Sequence, residues 1–507
     1  MEAYIKSYYE QQPDSKPQIL EKSDQDMELE AAFKTVDFTV TVPGKQYLYD
    51  RLKRPLPTFE NITVLENELQ KLKTKSTFRS QFEQTAKPLG GQDNADLPYL
   101  IFGEDLKTLW YYPWTPYLQA VMGIALVLSA FFSWGLLILI GLFAFNLYLH
   151  FHSKMVLDTY RRSLISVITL YDCCGALQKR TDHLFMQDSE PLEAYTGLKP
   201  LRKRLTINQS LQLFTSSELY MLPWLIYELM KAFTLVEVRA AAFIVREVNL
   251  KRGWIHILYK AVAKTDFLLS VIKLRETGSC CIPDFTTDIN EASVVGLYHP
   301  LIENCVVNDF MPRKNAVLIT GSNAAGKSTF LRSLALSNLL ATTIHTCFAR
   351  QFRWPLVTTL AVMHHTDMLT EGLSHYQSEV KDMAEVFRLS ERRACLLLFD
   401  EPFNGTNSRE RIAIAASVLQ YFAGCPNHMT LVATHDFELL QLLDDSYKMY
   451  YFNELVHPDG KLSFDYKLKP GRKVTRNALE LIRIEGFPAK VVEKANQIYQ
   501  QMEKENE

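Results

Sequence analysis

The chain has 507 residues, of which 47% are hydrophobic and 22% are charged, an ordinary globular composition. At about 150 residues per domain, this length predicts three or four structural units. The 55 basic and 57 acidic residues leave a net charge of −2, which excludes a uniformly basic coating protein. The 8 cysteines show no CxxC spacing, so reduced thiols are expected rather than a disulfide framework or a zinc site.

Residues 1–30 are polar and proline-containing, and they are predicted to be a flexible N-terminus without a secretion signal. Residues 31–106 place apolar side chains at three- and four-residue steps, as at Ile62, Leu65 and Leu69. This periodicity is typical of amphipathic helices. We interpret residues 31–106 as the N-terminal part of a helical core.

Residues 107–154 form the most unusual segment, because no Asp, Glu, Lys or Arg occurs between Lys107 and Lys154. Residues 117–149 as one straight helix would span about 50 Å, against about 30 Å for a hydrocarbon core. The Ser133-Trp134-Gly135 step instead favours a transmembrane helical hairpin. Positive residues on both flanks predict a multi-pass cell-membrane protein with both ends cytoplasmic. The alternative is a hydrophobic hairpin buried in a soluble core.

Residues 155–285 again predict helices, the second part of the core. From residue 286 to 507 the pattern changes to short apolar runs that alternate with helices, which indicates an α/β domain with a buried sheet. The clearest runs are Ala316–Ile319, Cys395–Phe399 and Thr430–Ala433.

The run Gly321–Ser328 fits the phosphate-loop pattern G-x-x-x-x-G-K-[ST] between a predicted strand and a predicted helix. The pattern predicts ATP as the ligand. Backbone N–H groups of such a loop surround phosphate oxygens, while Lys327 neutralises their charge and Ser328 ligates Mg²⁺. The residues expected to bind the nucleotide are Gly321, Ser322, Asn323, Ala324, Ala325, Gly326, Lys327, Ser328 and Thr329.

Two later strands are predicted to end in catalytic side chains. Asp400 follows one strand and is expected to hold Mg²⁺ together with Ser328, while the neighbouring Glu401 would polarise the attacking water. His435 follows the next strand, from which its side chain can reach the edge of the γ-phosphate.

The segment Thr320–Thr329, TGSNAAGKST, closely resembles the phosphate loop of the MutS family of DNA mismatch-repair ATPases. Further segments resemble that family's motifs in the same order along the chain: His299–Glu303, Val307–Asp309, Asp367–Glu379, Asp400–Ser408, Ala433–His435 and Tyr466–Gly471. The resemblance covers residues 290–500. It implies an α/β P-loop ATPase domain of the ABC/MutS type, preceded by an all-α lever-like core that the hairpin interrupts.

The same resemblance implies further site residues and partners. Asn308 would border the adenine, and Ser374 would approach the nucleotide of the opposite subunit, so that a homodimer completes two composite sites. The C-terminal helix, with Val491, Val492 and Ile498 at helical spacing, would add an apolar dimer contact. DNA is the further partner that the family suggests, and no small-molecule substrate other than ATP is expected.

Several departures from the family argue against mismatch specificity. Residues 1–43 leave no room for a mismatch-reading domain, Ser322 stands where the family usually has proline, and Pro402-Phe403 replaces a usual Ile/Val-Gly pair. The alternative functions are an ABC-type motor coupled to a membrane process, and a binding scaffold that uses ATP only as a clamp. A basic cluster around Lys199–Arg204 is interpreted as a solvated, positive-inside face in preference to a DNA or lipid contact.

Overall fold

The computed structural model describes residues 2–13, 21–55, 58–181, 185–186, 188–213, 221–363, 375–403, 408–456, 462–473, 482–483 and 486–505. The chain divides into two compact units, each built from separate stretches of sequence. Unit 1 comprises Met1–Ser15, Phe38–Asp50 and Lys71–Ser270. Unit 2 comprises Lys16–Asp37, Arg51–Gln70 and Val271–Glu507.

Unit 1 is helical in its described residues, as the periodicity predicts. Its longest helix, α13, is interrupted at Lys251, where the backbone leaves helical geometry at φ −111°. The helices that contribute to unit 1 are α1 (Ala3–Glu10), α4 (Val42–Lys53), α6 (Ser76–Ala86), α7 (Leu97–Phe102), α8 (Thr115–Ser129), α9 (Ser133–Thr159), α10 (Arg161–Arg180), α11 (Ser189–Leu213), α12 (Met221–Thr234) and α13 (Val236–Glu276).

Buried polar side chains fix the junction of α1, α4 and α13. The Gln46 amide donates to the Tyr4 carbonyl at 2.7 Å and accepts from the Tyr259 hydroxyl at 2.7 Å. Tyr259 also stacks on Tyr8, with ring centroids 4.9 Å apart. The Gln46 amide and the Tyr259 hydroxyl are therefore paired, which avoids the cost of desolvating them without a partner.

The two apolar helices α8 and α9 follow each other and pack together beside Gly135. A Cβ added at Gly135 would lie 2.7 Å from the backbone of Leu128, so the close approach depends on glycine. Among the described residues, only α9 is long and apolar enough to cross a membrane. Helix α8 has 15 residues and is about 22 Å long, so the structure offers one candidate span where the sequence predicts two.

Unit 2 is an α/β unit around a six-stranded sheet with the strand order β10-β9-β4-β8-β7-β6. Five strands are parallel, and β10 pairs antiparallel with β9. Strands β4, β7 and β8 are buried along their whole length, which explains their continuous apolar runs. The six strands are β4 (Ala316–Thr320), β6 (Thr358–Val362), β7 (Cys395–Asp400), β8 (Met429–Ala433), β9 (Lys448–Val456) and β10 (Leu462–Pro470).

A second, four-stranded sheet in unit 2 has the order β1-β5-β2-β3. Its strands are β1 (Asp284–Thr286), β2 (Ser293–Leu297), β3 (Asn308–Phe310) and β5 (Gln351–Pro355). The helices of the unit after residue 300 are α14 (Lys327–Ile344), α15 (His375–Ser390), α16 (Ser408–Ala423), α17 (Phe437–Leu442) and α18 (Ala489–Glu505).

The N-terminal stretch differs from the flexible segment that its polarity predicts. Besides α1, it contains α2 (Glu21–Asp26), and α3 (Leu29–Val36) follows directly. Both helices belong to unit 2, as does most of α5 (Phe59–Lys73). The Ser23 hydroxyl bonds the backbone N–H and C=O of Ala361 at 2.9 Å, and the Asp26 carboxylate accepts from the Met363 N–H at 2.9 Å. These two side chains thus hydrogen-bond to backbone groups in β6 and directly after it. β6 is an edge strand of the six-stranded sheet.

Candidate active site

The phosphate loop lies between β4 and α14, as its sequence pattern requires. Gly321 and Gly326 have φ values of 141° and 107°, in the left-handed region that strains other residues. A Cβ at Gly321 would also lie 3.1 Å from the Phe452 carbonyl oxygen. Helix α14 begins at Lys327, so its first N–H groups face the loop and favour an anion there.

The side chain of Lys327 is buried against the backbone of this loop. It is 1% exposed, and Nζ donates to the Gly321 carbonyl at 2.6 Å and lies 3.8 Å from Oε1 of Glu401. Burial lowers the pKa of Lys327, while the Glu401 and Asp400 carboxylates oppose that shift. The ammonium group therefore lies at the phosphate loop, where it can donate to phosphate oxygens.

Ser328 and Asp400 come together at the end of β7. Burial raises the pKa of Asp400; its hydrogen bond with Ser328 lowers it, and the neighbouring Glu401 carboxylate raises it further. A serine hydroxyl and a carboxylate beside a phosphate loop are hard oxygen donors of the kind that Mg²⁺ prefers. This donor set fits Mg²⁺ bound together with phosphate oxygens.

Glu401 and His435 form an ion pair across neighbouring strands. Nδ1 of His435 lies 2.7 Å from Oε1 of Glu401, and the Thr434 hydroxyl donates to Oε2 at 3.3 Å. Glu401 itself has φ 50°, and its N–H donates to the Ala433 carbonyl at 2.9 Å. The backbone of β8 therefore holds Glu401 in an unusual conformation that turns it out of its own strand.

Each member of the Glu401–His435 pair shifts the pKa of the other towards its charged form. Burial raises the pKa of Glu401, but the hydrogen bond from His435 and the charges of His435 and Lys327 outweigh it and hold the pKa below its usual range. The same hydrogen bond raises the pKa of His435, although partial burial opposes the shift. Glu401 is thereby held as a carboxylate that can accept a proton or a hydrogen bond from water.

A cavity of about 400 Å³ opens beside the loop and is large enough for a nucleotide base. Its wall depends on Asn308, whose amide donates to the Tyr466 carbonyl at 3.0 Å and accepts from the Leu468 N–H at 2.8 Å. Asn308 thus joins β3 to β10 and lines the cavity. The lining residues are Leu297, Tyr298, Ile302, Glu303, Asn304, Cys305, Val306, Asn308, Gly326, Thr329, Phe330, Ser333 and Tyr466.

The structure brings most of the proposed site residues to one edge of the parallel sheet. Ser322, Ala324 and Ala325 lie in the loop, and Thr329 lines the cavity. Ser374 and the side chain of Asn323 lie outside the described residues. Sequence reasoning missed Tyr298 and Phe330 as cavity residues. A signal for Phe330 existed, since it lies one turn beyond the loop on the helix that the loop opens.

Residues 317–503 match the family model described as MutS domain V. The chain is 31% identical over 261 residues to the DNA mismatch repair protein MutS of Porphyromonas gingivalis, covering 49% of this chain and 29% of that protein. MutS of Aquifex pyrophilus is 31% identical over 216 residues, covering 41% and 25%. MutS of Synechococcus sp. (strain CC9902) is 28% identical over 266 residues, covering 50% and 29%. The chain spans less than a third of the length of each of these relatives.

Proposed function

We propose that the C-terminal unit is a MutS-type ATPase that binds and hydrolyses ATP with Mg²⁺. The observation that carries the proposal is the convergence of Lys327, Ser328, Asp400 and the Glu401–His435 pair at one edge of the sheet. The nucleotide base would enter the cavity beside Gly326, and the phosphates would lie against the loop and the N-terminus of α14.

Each residue has a separate role in this proposal. Lys327 would bind the β- and γ-phosphate oxygens, and Ser328 and Asp400 would hold Mg²⁺, which neutralises phosphate charge. Glu401 would orient the attacking water, and His435 would keep its carboxylate ionised and fixed in position. Positioning and charge neutralisation supply most of the catalysis in phosphoryl transfer, so these roles suffice without a covalent intermediate.

Two substitutions test this assignment. Lys327→Ala should weaken equilibrium binding of ATP more than tenfold, because the countercharge to the phosphates is lost. Glu401→Gln should bind ATP with unchanged affinity but turn it over about 100-fold more slowly. Lys314→Ala, an exposed lysine ahead of β4, is the matched control and should change neither quantity. Equal ATP affinity in the wild type and Lys327→Ala contradicts the proposal.

We also propose that α8 and α9 anchor the protein in the cell membrane as a hairpin, with the ATPase unit on the cytoplasmic side. Large apolar side chains on both helices are exposed, among them Val127 of α8 and Leu137 of α9, and the apolar window of α9 is only 22% buried. Exposed Trp110, Trp114 and Tyr148 suit membrane interfaces. Unit 2 contains chain from both sides of the hairpin, which supports placing both flanks in one compartment.

Protease protection or reporter fusions at residues 20 and 500 test this topology. We expect both positions on the same, cytoplasmic side, and extraction of the protein only with detergent. Opposite sides would contradict a hairpin, and full solubility without detergent would favour a buried apolar hairpin.

The relatives are named as DNA mismatch repair proteins, and we propose that this chain couples ATP to DNA binding as a homodimer. The basic cluster offers limited support, because Arg202 pairs with Asp172 at 3.0 Å and Arg204 lies over the ring of Phe243. Gel-shift assays of detergent-solubilised protein with duplex, mismatched and branched DNA, with and without ATP and across salt concentrations, test the coupling. Absence of DNA binding would favour an ATP-gated motor or scaffold.

A further inference from the structure

Two cysteines of unit 2 face each other across a short antiparallel bridge outside the named strands. The Cys281 N–H donates to the Cys347 carbonyl at 2.9 Å, and the Cys347 N–H donates to the Cys281 carbonyl at 3.0 Å. Their Sγ atoms are 3.5 Å apart, and both thiols are free.

This geometry suits a covalent bond between the two sulfur atoms. Residues in a hydrogen-bonded antiparallel pair have Cα atoms about 5.5 Å apart, within the range that disulfides span. The Sγ atoms, 3.5 Å apart, need to approach by about 1.5 Å to reach the S–S bond length of about 2.05 Å. We propose that Cys281 and Cys347 are a redox modification site that forms a reversible intrachain disulfide on exposure to peroxide.

The two thiols have different environments, which assigns their roles. Cys281 is partly exposed, and the hydrogen bond from Cys347 lowers its pKa although burial opposes the shift. Cys347 is fully buried, and burial raises its pKa. The thiolate is the nucleophile in oxidation, so Cys281 reacts first and Cys347 resolves the product.

The neighbouring Cys280 does not compete for the first step. Burial raises the pKa of Cys280 to about 11, and its thiol donates to the Leu274 carbonyl at 3.5 Å. Cys280 therefore stays protonated near neutral pH and turned towards the end of α13.

The reaction balances with one hydroperoxide per disulfide. The Cys281 thiolate attacks a peroxide oxygen and the O–O bond breaks, which leaves a sulfenic acid on Cys281 and releases hydroxide, or an alkoxide from an organic peroxide. The Cys347 sulfur then attacks the sulfenic sulfur, the S–O bond breaks, and water leaves with the Cys347 proton. Both sulfurs are oxidised by one electron each, and the peroxide accepts two. A dithiol reverses the bond by exchange.

The bond would join two segments that already meet beside the C-terminal end of the phosphate-loop helix. Cys347 lies just after α14, and Arg275 of α13 bonds the Thr346 hydroxyl at 3.0 Å and the His345 carbonyl at 2.7 Å. Oxidation would make this non-covalent junction covalent.

Peptide mapping of the full-length protein tests the proposal without any readout of ATP turnover. Protein is treated with hydrogen peroxide, alkylated with N-ethylmaleimide and digested without reductant. We expect a linked peptide containing Cys281 and Cys347, two fewer alkylated thiols per chain, and return of both after dithiothreitol. The linked peptide should be absent in Cys281→Ser and Cys347→Ala.

Matched variants separate this pair from other cysteines. Cys280→Ser and Cys425→Ser should form the linked peptide as the wild type does, and a thermal unfolding midpoint for each reduced variant establishes that it is folded. Recovery of both Cys281 and Cys347 as alkylated thiols after peroxide overturns the proposal. Oxidation of Cys281 to sulfinic acid with Cys347 still free, or a bond from Cys347 to Cys280, overturns it equally.

Discussion

The contact between Glu401 and His435 makes the site sensitive to pH in a defined direction. The raised pKa of His435 means that the pair's contribution to stability is complete below the ordinary histidine pKa and is lost as the pH rises through the raised value. The lowered pKa of Glu401 acts at the other end of the range, where its contribution is lost as the pH falls through that value. His435 is 52% exposed, so salt should weaken the pair.

We predict that His435→Ala moves the acid limb of the turnover profile to higher pH. Without the imidazole, the Lys327 charge still opposes burial but the side-chain hydrogen bond and charge of His435 do not, so the pKa of Glu401 rises and the protonated acid no longer orients water. The pH dependence of kcat measures this shift. His428→Asn is the control, because His428 directly precedes β8 and accepts from the Cys395 N–H at 3.3 Å, and it should leave the acid limb in place. An unchanged acid limb in His435→Ala would show that His435 does not tune Glu401.

The parts of the site that are contiguous in sequence were predictable, and the parts assembled across strands were less so. Gly321–Ser328 is a local motif whose conformation depends on its own glycines. The Glu401–His435 contact depends on the pairing of Asp400 with Ala433 in neighbouring strands, which the order of the motifs only suggests. Asn308 was expected to border the base, but its amide is held by Tyr466 and Leu468, a long-range arrangement that no local pattern specifies.

At the scale of elements, a carboxylate from α13 organises the start of α4. Asp266 is buried and accepts from the Thr41 N–H at 2.8 Å, the Thr41 hydroxyl at 2.6 Å and the Val40 N–H at 3.1 Å. A Cβ at Gly44 would overlap this carboxylate, which explains the glycine in the first turn of the helix.

Asp266→Ala should therefore lower the free energy of unfolding by about 2–4 kcal/mol, because three donors, two of them buried, lose their acceptor. Thermal or denaturant unfolding of the detergent-solubilised protein measures the loss. Asp172→Ala removes an exposed ion pair with Arg202 and should change the free energy by less than about 1 kcal/mol. Equal effects of the two substitutions would contradict a capping role for Asp266.

Gly135 provides a test of the apolar hairpin as a packed element. Gly135→Leu should separate α8 from α9, since even its Cβ would lie 2.7 Å from the backbone of Leu128. Gly141→Leu is the matched control on α9, because a Cβ there meets nothing within 4 Å. We expect Gly135→Leu to reduce the monodisperse fraction in size-exclusion chromatography and Gly141→Leu to leave it unchanged. Similar profiles for both variants would mean that the helices do not depend on this contact.

The amphipathic pattern explains which elements the sequence could predict. Leu29, Ala32, Phe33 and Val36 are buried at three- and four-residue spacing, so α3 carries the helical pattern, although the predicted flexible N-terminus extended to residue 30 and included its start. Helix α2, EKSDQD, has no such pattern, and polar contacts of Ser23 and Asp26 with β6 determine its place. Contacts between polar side chains and distant backbone groups produce no periodic pattern in the sequence, so they cannot be predicted from it.

At the scale of the whole molecule, α18 presents apolar side chains that stay exposed among the described residues of one chain. Val492 is buried, whereas Val491 and Ile498 on the same helix are exposed. In the homodimer that we propose, a second copy of the chain would cover this face. ATP turnover per chain should then fall on dilution below the dimer dissociation constant.

Mixing inactive variants tests whether two chains share a site. Ser374→Ala chains and Lys327→Ala chains should each be inactive alone, and their heterodimer should regain about one working site that combines the intact Lys327 and the intact Ser374. Turnover after mixing, with heterodimers verified by two affinity tags, measures this. Heterodimers with no activity above the two parents would exclude a shared site.

The discontinuous make-up of unit 2 dictates an order of events during synthesis. Helices α2 and α3 leave the ribosome long before β6. Ser23 of α2 bonds the backbone of Ala361 in β6, and Asp26 bonds the backbone of Met363, directly after that strand. The hairpin of α8 and α9 lies between α3 and β6 in the chain, so it is synthesised before β6 is available to bind α2. A fragment beginning at Val271 would lack α2 and its hydrogen bonds to β6. An unpaired edge strand can pair with a strand of another molecule. Helices α2 and α3 are synthesised early but can dock only after β6 has emerged, and they then cover a strand edge that could otherwise pair between molecules.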